Sequence, residues 1–145
     1  MAFKLRRMRP GPNSALRLAR PSRDLDAAER FWVDGLGLEV LWRSASDSAD
    51  PDDADEQDLL MVGWPDAGWH LELVGDPEGE LVPTPTDEDL LVLYVDGPVD
   101  EDLVRQLIAA GGSRVQSRNP YWEEWGITIA DPDGYRLVLC RRSWA

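Results

Sequence analysis

A repeated order of predicted elements constrains the fold of this chain more than any single motif does. An alternating apolar segment, "ALRLAR" (15–20), precedes a helical pattern in "PSRDLDAAERFWVDGLGLEV" (21–40), and three strand-like segments follow. Later, "LLVLYVD" (90–96) precedes an amphipathic helical pattern (99–112), and three more strand-like segments follow. Two strand-helix-strand-strand-strand modules (βαβββ) in tandem predict an α+β fold in which a curved mixed sheet surrounds a central cleft.

The composition along the chain suggests four parts. Residues 1–13, rich in Arg and Pro, are predicted to be a flexible basic leader. Residues 14–82 form the first predicted module, residues 83–89 a Pro-containing linker, and residues 90–145 the second module. With 145 residues, of which 43% are hydrophobic, the chain can build one domain with its own core.

The net charge of −13 is unevenly distributed. Residues 1–23 hold seven basic side chains and no acidic one, whereas the remaining 122 residues hold eight basic and 28 acidic side chains. Such an acidic body repels phosphates, so we expect no nucleic-acid partner. The acidic segment 47–58 is interpreted as a solvated loop, because the spaced glycine and terminal glutamate of an EF-hand are missing. The sequence assigns no role to the leader or to this segment, although the leader could contact an acidic partner.

Other features of the sequence indicate where the protein is located and which cysteine chemistry it can have. No segment approaches the ~18 consecutive apolar residues of a membrane helix, and no signal-peptide pattern is present. We therefore predict a cytoplasmic protein without a membrane partner. Cys140 is the single cysteine, which excludes a disulfide within the chain and a Cys-rich zinc site. It is interpreted as a small buried hydrophobe.

Three motifs occur in a recognisable order: "DLDAAERFWVDGLGLEVL" (24–41), "WHLELVG" (69–75) and "ADPDGYRLVL" (130–139). In these segments, and over residues 14–142 as a whole, the chain resembles the vicinal oxygen chelate superfamily of glyoxalase I, bleomycin resistance proteins and extradiol dioxygenases. The segment "NPYWEEWGITIADPDGYR" (119–136), together with "PTPTDEDLLVLY", is similar to a smaller subgroup of uncharacterised glyoxalase-like proteins. The resemblance implies paired βαβββ modules and a homodimer.

The resemblance also locates the metal positions of the superfamily. Metal-dependent members place one ligand on the first and one on the last strand of each module, and these positions correspond to Arg17, Glu72, Leu90 and Val138. Only Glu72 among them can bind a divalent ion. His70 lies two residues away on the same face and could add a second ligand, which is still fewer than zinc normally requires. We therefore expect no metal, no cofactor, and no metal-dependent glyoxalase or dioxygenase activity.

Strand alternation predicts which side chains face the cleft. His70 and Glu72 point into it, while Leu71 and Leu73 pack under the helix. Because the first and fourth strands of a module are neighbours in this fold, Arg17 is predicted to form an ion pair with Glu72 where a metal would otherwise lie. The alternative is that Arg17 points to solvent and Glu72 is half exposed. The second module supplies a further set of cleft residues by the same rule: Leu90, Val92, Tyr94, Arg136, Val138 and Cys140.

Seven tryptophans are a large number for a chain of this length. Trp32 is predicted to lie in the core, whereas five others lie at strand ends or in loops, where amphipathic rings line clefts or dimer interfaces. The segment "NPYWEEW" is predicted to be a loop that either folds Tyr121 and Trp122 over a ligand or anchors itself to the core. The predicted ligand-binding residues are Arg17, Trp42, Trp64, His70, Glu72, Tyr94, Tyr121 and Trp122.

These observations predict a metal-independent protein of the glyoxalase/bleomycin resistance type that binds a small aromatic or cationic molecule. The alternative is an enzyme of the same superfamily, a lyase, isomerase or dioxygenase type, in which His70 and Glu72 act as catalytic acid and base with or without a weakly held metal. A third possibility is a module that binds a protein partner through its aromatic side chains. The sequence does not identify the ligand.

Overall fold

The computed structural model describes residues 5–44 and 58–145. Residues 47–57 of the predicted acidic loop lie outside these ranges. The elements of the first half are β1 (Leu16–Ser22), α1 (Leu25–Glu29) with its π-helical continuation (Arg30–Gly35), β2 (Glu39–Arg43), β3 (Asp58–Gly63) and β4 (Trp69–Gly75). The elements of the second half are β5 (Leu90–Tyr94), α2 (Glu101–Ala109), β6 (Ser113–Val115), α3 (Pro120–Trp125), β7 (Gly126–Ala130) and β8 (Arg136–Cys140).

The strands form two four-stranded sheets with the same topology. The first sheet has the order β1-β4-β3-β2 and the second the order β5-β8-β7-β6. In each, the first strand of the module runs parallel to the last, and the other pairs are antiparallel. The predicted α+β class and the paired βαβββ modules are therefore confirmed.

Asp24 caps the N-terminus of the first helix. The Asp24 carboxylate accepts hydrogen bonds from the backbone N–H groups of Asp26 and Ala27, at 3.0 and 3.1 Å. Ser22, two residues earlier, donates its hydroxyl to Asp133 of the second module at 2.6 Å. The start of the helix and the contact between the modules thus use neighbouring residues.

The helix widens into a π-helical turn before it ends. The N–H of Leu36 bonds to the carbonyl of Phe31 at 3.0 Å, a span of five residues. Phe31 and Trp32 are consecutive, yet both are fully buried. Gly37, with φ of 95°, follows at a conformation that side chains disfavour, and it ends the element.

One hydrophobic core joins the two modules. The face of each sheet that packs on the helices is called the core face here, and the opposite face is called the open face. Leu71 and Leu73 of the first sheet lie on the core face as predicted, and Leu137 and Leu139 are their counterparts in the second sheet. The buried members of this core are Ala28, Phe31, Trp32, Leu38, Leu60, Val62, Leu71, Leu73, Val104, Leu107, Ile129, Leu137 and Leu139.

The turn between β7 and β8 also joins the modules through buried polar contacts. The indole N–H of Trp32 donates to the Asp131 carboxylate at 3.2 Å, and the Arg20 guanidinium stacks over the Tyr135 ring at 4.6 Å. Burial raises the pKa of Asp131 to about 6, and the neighbouring Asp133 carboxylate contributes in the same direction. This turn therefore holds a carboxyl group that titrates in the neutral to mildly acidic range.

The helices of the described residues are all too short or too polar to cross a membrane.

Candidate functional site

Three polar side chains meet on the open face of the first sheet. Arg17 on β1 lies opposite His70 on β4 in the parallel register. The Nε of Arg17 donates to Nε2 of His70 at 2.9 Å, and Nη1 of Arg17 lies 3.9 Å from Oε1 of Glu72. We call this group the polar cluster.

The geometry of the polar cluster differs in part from the prediction. The cross-strand neighbour of Arg17 is His70 and not Glu72, so the close hydrogen bond goes to the imidazole. The guanidinium contacts Glu72 only along the diagonal between the two strands, at the longer distance of 3.9 Å. Because Nε2 accepts this bond, the imidazole carries its proton on the other nitrogen in this arrangement. The Arg17 side chain is 51% exposed and that of Glu72 is 16% exposed, so solvent reaches the cluster from the arginine side.

Apolar side chains lie beside the polar cluster on the same face. Trp42 on β2 pairs with Met61 on β3, which in turn pairs with Glu72, so the three form one row across the sheet. Trp42 is 48% exposed. Gly63 lies opposite His70, and a Cβ at Gly63 would lie 2.9 Å from the Cβ of His70. The glycine therefore provides the room that the imidazole occupies.

Trp64, another predicted ligand-binding residue, is anchored elsewhere. Its indole N–H donates to the carbonyl of Gly37 at 3.2 Å, and its ring packs edge-to-face on Trp69 at 5.9 Å. These contacts attach the turn after β3 to the end of the first helix. The structure shows Trp64 as an anchor of that turn, and its ring is 38% exposed.

The open face of the second sheet is covered, in contrast to that of the first. Thr128, Val138 and Cys140 all point to this side, and all are at most 2% exposed. The Ser117 and Thr128 hydroxyls form a buried hydrogen bond. Because Ser117 lies in the connection between β6 and β7, that connection lies over the open face. We call residues 116–125 the cover.

The end of the cover is the helix α3, which corrects the prediction of a loop for "NPYWEEW". The Asn119 side chain accepts from the N–H of Tyr121 at 3.0 Å, and Pro120 occupies the first turn, where its missing N–H has no cost. Val138 and Cys140, which were predicted to line the cleft, are instead sealed below the cover. Tyr121 is part of the cover, and its hydroxyl accepts from Arg142 at 3.2 Å.

The remaining predicted aromatic residues also lie in the second module. Trp122 packs edge-to-face on Tyr121 at 4.9 Å between ring centroids. Tyr94 at the end of β5 is 37% exposed, and its ring lies 5.8 Å from that of Trp144. Across residues 5–44 and 58–145, no hydrogen bond or ion pair connects these rings to Arg17 or Glu72. The structure therefore places the predicted site residues in two groups, one on each module.

The donor groups do not fit the metal site of the superfamily. Leu90 and Val138 have no donor atom, and Arg17 is itself a cation. Within the described parts of the chain, no group of three or more His, Cys, Asp or Glu side chains is arranged to hold a metal ion. Glu72, the one remaining oxygen ligand, lies beside a guanidinium group.

A cavity of about 400 Å³ lies elsewhere, at the carboxyl ends of β1 and β4. Arg43 lines it and bonds to Asp26 at 2.7 Å, and Arg43 also lies 3.4 Å from Glu29. Arg43 is thus already paired, the other basic side chain of the cavity, Arg23, donates to the carbonyl of Pro83 at 3.1 Å, and none of the predicted site residues lines the cavity. We assign no function to it.

Comparison with known proteins identifies the family. A model of the YycE-like N-terminal domain matches residues 16–74, and a model of the YycE-like C-terminal domain matches residues 88–141. The chain belongs to the YycE-like family. This family places it in the vicinal oxygen chelate superfamily, as the motifs suggested. An uncharacterised YycE protein of Bacillus subtilis (strain 168) is 36% identical over 125 residues, which cover 86% of this chain and 85% of that protein.

Solved structures agree with the YycE-like assignment. A crystal structure of a YycE protein from Bacillus subtilis, described as of unknown function and as a candidate glyoxalase/fosfomycin resistance protein, has a TM-score of 0.77 at 34% identity. The match covers 92% of this chain and 93% of that one. The fosfomycin resistance protein FosX of Mesorhizobium loti shares the fold, with a TM-score of 0.64 at 12% identity over 94% and 95% of the two chains. The antibiotic-binding protein TnmS3 of a Streptomyces strain has a TM-score of 0.57 at 23% identity over 89% and 95%.

Proposed function

We propose that this YycE-like protein binds a small molecule on the open face of its first sheet and does so without a metal ion. The observation that carries the proposal is the position of Arg17, which lies between His70 and Glu72 where the superfamily would hold a metal. A guanidinium group supplies the positive charge that a buried carboxylate requires. No metal is then needed to stabilise Glu72.

The second sheet supports the same proposal. Its two metal positions carry Leu90 and Val138, and Val138 is completely buried below the cover. A ligand or metal could reach Val138 only if the cover moved away. The polar chemistry of the protein is therefore concentrated on the first sheet.

The surroundings of the polar cluster favour an aromatic ligand with a positive charge. Trp42 offers a half-exposed indole on the same face, and such rings attract cations as well as flat apolar groups. Glu72 has only the long contact with Arg17, so its carboxylate can accept a further hydrogen bond from a ligand. The net charge of −13 attracts cations to the protein as a whole.

The enzyme alternative has less support. A catalytic base needs a free lone pair, and Nε2 of His70 already accepts the hydrogen bond from Arg17. Glu72 and His70 project side by side from alternate positions of β4, and no hydrogen bond joins them among the described residues. The geometry suits the holding of a ligand better than the transfer of a proton.

We also propose that the protein acts as a homodimer. Leu41 and Trp42 expose 38% and 48% of their surface on or beside the open face, and Trp144 exposes 83%. A ligand on one uncovered sheet would bury little of its surface, whereas small-molecule sites usually enclose most of it. A second copy would provide the missing wall. Sedimentation over a range of concentrations tests this, and a monomer throughout that range would refute it.

Metal analysis of protein purified without chelator tests the absence of a metal. We expect less than stoichiometric Ni, Zn, Mn or Fe, and no change in the unfolding transition when these ions are added. One bound ion per chain would overturn the metal-independent proposal, because metal binding stabilises the folded state.

Fluorescence titration with the aromatic cation tetraphenylphosphonium tests the ligand class. Glu72→Gln should weaken binding by about tenfold, because one charged contact is lost. Glu78→Gln removes the same charge from an exposed turn and serves as the matched control. Equal binding to the two variants would show that the polar cluster is not the site, and no binding to the unmodified protein would show that the ligand class is wrong.

A further inference from the structure

A groove in the second module lies apart from the polar cluster. One part, of about 340 Å³, is lined by Val99, Ile127 and Glu124, and an adjoining part of about 250 Å³ is lined by Gly97 and Arg142. Both parts share Pro98, Trp125 and Arg141 as walls. The groove is therefore continuous: its larger part combines apolar side chains with two glutamates, and its smaller part carries the arginines.

Two arginines define the basic end. The guanidinium carbons of Arg141 and Arg142 lie 4.7 and 4.4 Å from the centre of the Trp125 ring. Their hydrogen bonds go to neutral acceptors, the carbonyl of Glu124 at 3.4 Å and the hydroxyl of Tyr121 at 3.2 Å. Within the part of the chain that the structure describes, no carboxylate lies within 4.0 Å of either guanidinium.

The chain has 28 acidic side chains and 15 basic ones, and several arginines outside the groove are paired with a carboxylate. Arg43, Arg105, Arg118 and Arg136 each have a carboxylate partner at or below 3.4 Å. The two groove arginines are exposed and keep their positive charge available, while their planes are positioned by the indole of Trp125.

The backbone of the groove is fixed by main-chain hydrogen bonds. The N–H of Gly97 donates to the carbonyl of Arg141 at 2.8 Å, and the N–H of Arg141 donates to the carbonyl of Trp125 at 2.9 Å. The walls therefore do not depend on long side chains alone. A ligand would meet a site that is already formed.

We infer that this groove is a second binding site, for a small carboxylate with an apolar or aromatic body. The carboxylate binds the guanidinium groups of Arg141 and Arg142, and the apolar body lies against Pro98, Val99 and Ile127. Glu101 and Glu124 also line the larger part of the groove and repel a second negative charge. The site therefore selects a monoanion that is charged at one end.

Binding of 3-phenylpropionate, followed through the indole N–H signals in heteronuclear NMR, tests the inference. Trp125→Phe identifies the signal of Trp125 among the seven indoles. We expect that signal to shift on titration, with a dissociation constant on the order of 1–10 mM for so small a ligand. The neutral amide 3-phenylpropionamide is the matched ligand control and should bind at least about tenfold more weakly.

Arginine variants locate the site. The double variant Arg141→Gln and Arg142→Gln should lose at least about tenfold in affinity, because both charged contacts disappear. Arg105→Gln removes an arginine that lies exposed on α2, and Arg17→Gln removes the arginine of the polar cluster, so both should bind as the unmodified protein does. The inference is overturned by undiminished binding to the double variant, by equal binding of acid and amide, or by no shift of the Trp125 signal. Loss of binding in Arg17→Gln alone would assign the ligand to the first site instead.

Discussion

The two sheets have the same topology, but their open faces have opposite character. The first presents Arg17, His70 and Glu72, and the arginine side chain remains 51% exposed. The second places Thr128 and Val138 on the corresponding side, and both are at most 2% exposed below the cover. One open face is thus a polar surface, and the other is an extension of the interior.

The difference shows how two modules can keep the same topology while their open faces diverge. Helix–sheet packing on the core face is kept in both modules and determines the topology. The open faces are free to change, because neither contributes to the shared core. In the second module this face is covered by the segment 116–125, and in the first module it carries Arg17 in contact with His70 and Glu72.

The largest effect is expected when a metal ligand is restored at the covered position. Val138→Glu buries a carboxylate without a partner, so we expect it to lower the free energy of unfolding by about 3–5 kcal/mol. Urea unfolding with and without Mn²⁺ or Zn²⁺ measures the change. Leu90→Glu, at a partly exposed position of the same face, is the matched control and should cost only about 1 kcal/mol. A Val138→Glu protein that is as stable as the unmodified one, or that a metal restores, would show that the cover opens readily.

Much of the core face could be predicted from the sequence. Alternation on β4 correctly separated Leu71 from Glu72, and the two helical patterns correctly located α1 and α2. These features are local, because they depend on the periodicity of one segment and on its ends. The superfamily resemblance was confirmed for the same reason, since its motifs are the turns and helix ends that maintain the fold.

The open faces could not be predicted equally well, because their environment depends on contacts between distant segments. Alternation correctly assigned Val138 to the open side but gave no sign that residues 116–125 would cover it. The pairing of Ser117 with Thr128, and the approach of Arg142 to Trp125, arise only when that cover packs on β7 and β8. The Asn-Pro start of "NPYWEEW" was an available helix signal that the loop prediction overlooked.

An intermediate effect is expected at the turn that holds the two sheets on one core. The pKa of Asp131 in the folded protein, about 6, is above the ordinary value of 3.8. The contribution of this carboxyl group to the free energy of unfolding is therefore fully present below about pH 4 and is lost as the pH rises through 6. Asp131→Asn keeps an uncharged group at this position. We therefore expect the stability of the unmodified protein relative to the variant to fall by on the order of 2–3 kcal/mol between pH 4 and 7.

Urea unfolding of both proteins across this pH range measures the difference, and repetition at high salt is the control. Repulsion among surface carboxylates is screened by salt, whereas the effect of a buried carboxyl group is screened much less. A difference that does not change with pH, or that vanishes in salt, would show that Asp131 is not the group responsible.

The smallest effect is expected at the polar cluster, where exposure limits the energy of each contact. Arg17→Met and Glu72→Gln should each change the free energy of unfolding by no more than about 1 kcal/mol, because the ion pair is long and solvent reaches the arginine.

Double-mutant cycles separate the two partners of Arg17. The coupling energy of Arg17 with His70, measured with Arg17→Met and His70→Leu, should exceed the coupling energy of Arg17 with Glu72. The reverse order would mean that the guanidinium turns toward the carboxylate in solution and shortens the ion pair, which spans 3.9 Å in the structure. A coupling of several kcal/mol with either partner would show that the first open face is as well covered as the second, and the contrast between the two sheets would be lost.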